Sequence, residues 1–332
     1  MALLDLTQFE SAQIGTNVSV ECDEFLSDGD FHLGDNVKVV AARVRLGAHA
    51  RIEHNTVVRA LRGTTSGFSM GDETLIGHYN QVLTPEFSMG DYTRIFHSCL
   101  LSGYEPLTIG HNCWIGQTAI LNSADRLDIG NNVCMGGAHI WTHVSSGEIL
   151  EGCTILGKKP VVIEDNVWLM GFGQTVVPGV VLGRNSIILS GSVVTRSTEP
   201  FHTYTGNPAK DITDKVNGWK PVTPAGKLEM MRGFVDEFAA EYPEFEGRAA
   251  CLDLDRPEDH PRLEDIISRA EPHLVFLKAV GDWGGLRGVV HSVFDLESKH
   301  YTKRKSAIEV TWMKFANGYR ARFLPLPGPT DV

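Results

Sequence analysis

Between about Leu33 and Val194 an aliphatic residue returns every sixth position, often with Gly behind it. Ile109-Gly110, Ile115-Gly116 and Leu121 form one run. Ile129-Gly130, Met135-Gly136 and Trp141 form the next. Met70-Gly71, Ile76-Gly77 and Val82 precede them, and Leu182-Gly183, Ile188 and Val194 close the series. Such a beat fits neither an amphipathic helix, with a period of about 3.6, nor a half-buried strand, with a period of about 2, and so predicts a repeat architecture.

Each hexad predicts one short strand and one tight turn, and three hexads make a triangular coil with the aliphatics pointing inward. The fifth position is small at Val37, Ala50, Thr74, Thr93, Ala119, Val133, Ser186 and Ser192, as a narrow corner requires. Met70, Met89, Ile109 and Ile129 open successive coils at spacings of 19, 20 and 20 residues. Coils stacked at about 4.8 Å bring residues of equal phase side by side. On this reading Leu121 lies under Trp141, and Asn122 to Asp125 lie under Thr142 and His143. The period breaks twice. Ile129 to Ile163 leaves roughly fourteen residues extruded after Trp141. One extra residue within Met170 to Phe172 delays the next beat to Val176.

The segment I-E-D-N-V-W-L-M-G-F-G-Q-T-V-V-P-G-V-V-L-G-R-N-S-I-I-L-S-G-S-V-V-T-R, Ile163 to Arg196, is followed by T-G-N-P-A-K, Thr205 to Lys210. Together they resemble the C-terminal coils of the hexapeptide-repeat acyltransferases, nearest to the maltose/galactoside, xenobiotic and polysaccharide-type acetyltransferases. The resemblance implies a mainly β chain built on a left-handed parallel β-helix, a triangular prism solenoid. It also implies a homotrimer with acetyl-CoA along the groove between neighbouring prisms, and a His general base on the loop after a coil corner. The matching residue is His143. The pattern places pantetheine along Trp168, Gly171, Gly173 and Ser190, and the CoA phosphates near Thr195, Arg196 and Lys210. The loop T-H-V-S-S-G-E differs from that of the maltose enzymes, which leaves the acceptor open.

The chemistry agrees with that assignment. Acetyl transfer from a thioester needs a proton removed from the attacking hydroxyl or amine, and an imidazole suits the task. Asp125 and Glu148 are candidates to orient the ring or bind an acceptor hydroxyl, and Asn122 is assigned to acceptor binding. A backbone N–H of the Met170 to Gly173 bulge is a candidate oxyanion donor. His139 and His143 stand four apart, yet no third His lies at a matching phase, so no metal is expected. His54, His78, His97 and His111 occupy outward positions and are read as solvated.

Net charge is −11, which argues against nucleic acid or an anionic membrane as partner. No apolar segment reaches a membrane span, and the N-terminal residues lack a signal-peptide pattern, so a cytoplasmic location is expected. The six Cys lack framework or metal spacing and read as free thiols. Residues 1–28 are assigned to an N-terminal cap, 29–212 to the β-helix with its loop extruded at about 143–160, and 213–332 to a small α+β domain of unknown role. In that domain Thr223-Pro224 opens a helix whose face is Leu228, Met231, Val235, Phe238 and Tyr242. Strands are expected at 274–280, 289–296 and 319–324, with a helix at 306–316. The expected activity is an acetyl-CoA-dependent O- or N-acetyltransferase acting on a sugar, nucleotide-sugar or other small acceptor. The alternative is a non-catalytic β-helix scaffold that uses its C-terminal domain for protein contacts.

Overall fold

The computed structural model describes residues 1–327 and divides at Trp219/Lys220 into two compact units. The first unit is almost entirely β. Its strands are short, parallel and visited in rotation along three ladders. Gln81–Leu83, Leu100–Gly103, Ile120–Ser123, His139–Ile140, Thr175–Val176 and Val193–Val194 belong to the first ladder. Glu86–Met89, Leu107–Ile109, Leu127–Ile129, Val161–Ile163 and Val181–Leu182 belong to the second. Arg94–Ile95, Trp114–Ile115, Cys134–Met135, Trp168–Leu169, Ile187–Ile188 and Thr203–Thr205 belong to the third. The first two ladders join into one 17-stranded sheet because Lys38–Leu46 runs unbroken from one to the other.

The hexad explains this arrangement. The aliphatics of every coil, from Leu33 through Ile76, Ile115 and Leu169 to Val194, are buried in one continuous cluster. All eight small fifth-position residues are buried as well. The stacking reaches below residue 28, since Ile14 pairs with Leu33 in the third ladder. Two columns of side chains complete the corners. Asn17, Asn36 and Asn55 adopt left-handed φ values of 55°, 58° and 59°, and the Asn17 amide donates to Asn36 and the Asn36 amide to Asn55, both at 3.0 Å. Asn tolerates that backbone region better than other side chains with a Cβ, and its amide extends the ladder sideways. At the corner between the second and third ladders, Asp72, Asp91, His111, Asn131 and Asp165 each accept the backbone N–H of the coil before, at 2.6–2.9 Å. His111 is therefore a corner acceptor and not a solvated side chain.

Register departs from the expected beat in one coil. Leu121 pairs with Ile140, not Trp141, and Ile140 is the fully buried residue. The corner Gly136-Gly137 takes one residue fewer than a hexad, and the Met170 to Gly173 bulge in the next coil takes one more. These irregularities are one feature. A Cβ on Gly136 would lie 1.5 Å from the Gly171 carbonyl oxygen, and one on Gly137 would lie 2.4 Å from the Phe172 ring. The extruded segment is a hairpin, His143–Ser145 against Leu156–Lys158, which rejoins the second ladder at Val161.

The second unit carries a five-stranded sheet flanked by three helices. Pro224–Glu241 opens on Thr223, whose hydroxyl accepts the Gly226 N–H at 3.1 Å, and buries Leu228, Met231 and Phe238. Leu274–Leu277 and Ser292–Asp295 are central strands, Ala307–Ala316 is a helix, and the last strand is Leu324–Pro325. The helix Asp259–Ser268 carries only Leu263, Ile266 and Ile267 as apolar residues, and the strand Ala249–Leu252 is only four residues long, so neither registers as sequence periodicity.

Gly136→Ala should destabilise the first unit by about 1–3 kcal/mol or more, because its Cβ meets backbone that cannot yield. Gly233→Ala lies exposed in a helix of the second unit with nothing within 4 Å of the new Cβ, and should stabilise it by about 0.5–1 kcal/mol. Urea unfolding of both variants measures the contrast.

Candidate active site

His143 lies at the corner between the first and second ladders, where the chain leaves its coil to form the hairpin. Two contacts hold it there. Its strand pairs with Lys158 across the hairpin, and its Nδ1 lies 2.8 Å from Asn122 Oδ1 on the preceding coil. Asn122 is 8% exposed and fixed on all sides. Its Nδ2 donates to the Ser102 carbonyl at 3.3 Å, and its Oδ1 accepts from the Ala124 N–H at 3.3 Å and the Thr142 hydroxyl at 3.1 Å. Thr142 also bonds the Asn122 carbonyl and receives the Asp125 N–H, both at 2.9 Å, which ties the two coils together.

Oδ1 only accepts, so the nitrogen facing it carries the hydrogen. The ring is thereby set as the Nδ1–H tautomer, an assignment that follows from the hydrogen-bond network. Nε2 keeps its lone pair. The Trp141 indole stands edge-on to the imidazole, 6.0 Å between centroids.

The other residues expected at the site are distributed as follows. The Asp125 carboxylate accepts its neighbour's Arg126 N–H at 2.7 Å. Glu148 lies in the exposed hairpin tip, where its carbonyl accepts from Glu151 and Cys153. Thr195 and Arg196 are exposed on the same corner as His143, two coils further along. Trp168, Gly171, Gly173 and Ser190 gather on the third ladder and at its corner with the first, on the far side of the His139–Ile140 strand. There the Ser190 hydroxyl donates to the Met170 carbonyl at 3.0 Å, and Gly171 and Gly173 adopt φ of 77° and 80°. Lys210 is exposed on an antiparallel edge strand beside Asp211. The Thr213 hydroxyl, His202 and the Thr213 N–H hold the Asp211 carboxyl down at about 2.

Three side chains on the same corner as His143 carry no periodic signal. Tyr104 extends from the Leu100–Gly103 strand, one coil before Asn122, and is 49% exposed. Arg62 and Lys158 approach its ring, with centroid distances of 5.5 and 5.2 Å. Only the coil register, which places Tyr104 next to Ser123, could have pointed to it.

One cluster has the composition of a metal site. Ligand atoms of Glu53, His54 and His78 lie within 4.8 Å of one another at the corner between the third and first ladders. Its geometry serves the fold instead. His54 Nδ1 already accepts the Asp35 N–H at 2.8 Å, and the His54 and His78 rings stack 5.1 Å apart at 3°. An ion in line with both lone pairs would have to lie in two parallel planes at once. Burial pushes the Glu53 carboxyl up, but the Arg51 guanidinium at 2.6 Å, together with His32 and His78, brings it below the usual carboxylate range.

No family model matches the chain. Over 102 residues it is 35% identical to a putative acetyltransferase of Schizosaccharomyces pombe, covering 31% of this chain and 47% of that protein. It is 37% identical over 102 residues to the galactoside O-acetyltransferase of Lactococcus lactis, covering 29% and 48%. The chain thus spans about half the length of these curated relatives. Among solved structures, the polysialic-acid-specific acetyltransferase NeuO is 18% identical, covering 70% of this chain and 99% of that one, with a TM-score of 0.37. A superposition that loose adds nothing to the sequence matches. Those matches make the chain a relative of acetyltransferases, a galactoside O-acetyltransferase among them.

In nitrogen NMR spectra the neutral His143 ring should carry its hydrogen on Nδ1, and Asn122→Ala should release a mixture of tautomers. A dominant Nε2–H form in the unaltered protein would contradict the geometry.

Proposed function

We propose that the chain is an acetyl-CoA-dependent O- or N-acetyltransferase that acts on a sugar or other small hydroxylated or amino acceptor by direct transfer. The observation that carries this reading is the His143–Asn122 pair, which presents an oriented Nε2 lone pair at a half-buried corner. The relatives named as acetyltransferases support it.

In the reaction the acceptor oxygen or nitrogen attacks the thioester carbonyl carbon while Nε2 takes its proton. The tetrahedral intermediate collapses, the C–S bond breaks, and the CoA thiolate recovers the proton from the imidazolium. Asn122 touches no reacting atom in this scheme. It is a positioning residue, which keeps Nδ1–H pointed away from the acceptor. A positioned imidazole base is worth roughly 10²–10⁴-fold in such chemistry.

We read the three ladders as the faces of a closed left-handed prism, and three chains as the working assembly. The geometry favours a site shared between copies. Within one chain Trp168, Gly171, Gly173 and Ser190 lie on the far side of the first ladder from His143, so a donor lying along them reaches a neighbour's base more readily than its own. The hairpin tip exposes Ile149, Leu150 and Ile155 at 73%, 87% and 63%, an apolar surface suited to such a neighbour. Arg196 and Lys210 would take the CoA phosphates as charge-assisted partners.

His143→Ala should bind acetyl-CoA in calorimetry as the unaltered protein does, while transfer falls by roughly 10²-fold or more. Undiminished transfer would remove His143 from the mechanism. No binding of acetyl-CoA by the unaltered protein would remove the transferase.

A further inference from the structure

The corner that holds His143 also holds a charge arrangement that base catalysis does not require. Tyr104 presents a half-exposed ring, and the Arg62 guanidinium and the Lys158 ammonium both lie over it. The three residues come from separate segments: the loop after Val57–Val58, the end of Leu100–Gly103, and the returning arm of the hairpin. Lys158 is the direct cross-strand partner of His143. Ser102, two residues before Tyr104, pairs with Asn122. The ring and its cations therefore lie on the same corner as His143, Tyr104 two coils before it and Lys158 opposite it on the hairpin.

In a chain of net charge −11, basic side chains readily find carboxylates. On the same unit Arg45 pairs with Asp28 at 3.0 Å, Arg51 with Glu53 at 2.6 Å and Arg126 with Asp128 at 2.9 Å. Arg62 and Lys158 form no ion pair with any carboxylate among the described residues, although Glu105 follows Tyr104 directly. An exposed cation–π contact is worth only about 0.5–1 kcal/mol, so both side chains can leave the ring for a better partner at little cost. Two cations converging on one carboxylate or phosphate form charge-assisted hydrogen bonds that a ring cannot offer, and the guanidinium fork can supply two of them in parallel. The aromatic face offers a flat apolar platform of the kind that packs against a sugar ring.

We propose that the acceptor is a sugar bearing an anionic group, either carboxylate or phosphate, with its ring on Tyr104 and its charge held by Arg62 and Lys158. This rests on the transferase reading for the fate of the hydroxyl, but not for the binding. Anion and ring fix the sugar at two points, and the hydroxyl between them is delivered to Nε2. The two cations and Tyr104 set specificity. His143 remains the catalytic residue.

The test measures binding and transfer separately, with glucose, glucuronate and glucose 6-phosphate as probes. By NMR titration, the full chain should bind at least one anion roughly tenfold more tightly than glucose. The preference should weaken with added salt and fall to within about twofold in the Arg62→Gln/Lys158→Gln double variant, whose changes lie on exposed side chains. With acetyl-CoA present, the same variant should raise KM for the preferred anion with little change in kcat, and Tyr104→Ala should weaken all three sugars. Whichever anion binds more tightly distinguishes carboxylate from phosphate. Equal binding of glucose and both anions, no binding of either anion, or a preference that survives the double variant would each overturn the proposal. An anion preference lost in the double variant, with no transfer to any probe, would uphold the anion site and count against the transferase. Transfer that treats glucose and glucuronate alike would do the reverse.

Discussion

The backbone register between successive coils is the constraint on which everything else in the first unit depends. Each coil hands its N–H and C=O groups to the next through parallel ladders, and side chains alternate between core and solvent with a period of two. A slip of one residue would turn every inward aliphatic outward. One cluster of aliphatics running the length of the unit makes such a slip prohibitively costly, so phase is carried faithfully from coil to coil. The columns at the corners follow from that fidelity. Asn over Asn and carboxylate over N–H recur because equal phase means equal position.

The candidate site is the same constraint put to chemical use. Asn122 reaches His143 because Ile120 pairs with His139 and Leu121 with Ile140. Thr142 then locks the two coils by bonding the Asn122 carbonyl and side chain together. The hairpin leaves the stacked coils just at this point, so the ring gains access to solvent while its Nδ1 stays on the rigid stack. A polar side chain buried to 8% exposure with its amide oxygen and nitrogen both satisfied makes a better anchor for an imidazole than a mobile loop acid would. The wider corner continues the theme, since Tyr104 and Lys158 are brought to the corner of His143 by coil register and by hairpin pairing respectively.

Much of this was legible in the chain. The six-residue beat, the small fifth position and the spacing of coil openings predicted the parallel stack and its buried aliphatics. Thr223-Pro224 and the apolar face through Phe238 marked the helix of the second unit, because local capping and periodicity are short-range signals. What sequence could not show is where the beat compensates. A corner one residue short at Gly136-Gly137 is repaid by the bulge at Met170 to Gly173, thirty-odd residues later, and only the packed backbone reveals that they interlock. For the same reason Ile140 displaced Trp141 from the core. The place of Asn122 was half-visible: phase brought it near Thr142 and His143, though one residue out of its true register level with Trp141, and its contact with Nδ1 depends on a side-chain direction that periodicity does not carry. Arg62 and Lys158 were silent because one lies in an irregular loop and the other on a hairpin arm whose pairing depends on the turn.

The central claim is that Asn122 acts only through His143. A double-mutant cycle on acetyl transfer tests it most directly, using His143→Ala, Asn122→Ala and the two combined. On this account Asn122→Ala should slow transfer by the otherwise unaltered protein by about tenfold, since a loosened ring samples unproductive orientations, and should cost almost nothing further once His143 is gone. If the two losses simply multiply, Asn122 serves the acceptor or the fold independently of the imidazole, and the account of the site is wrong.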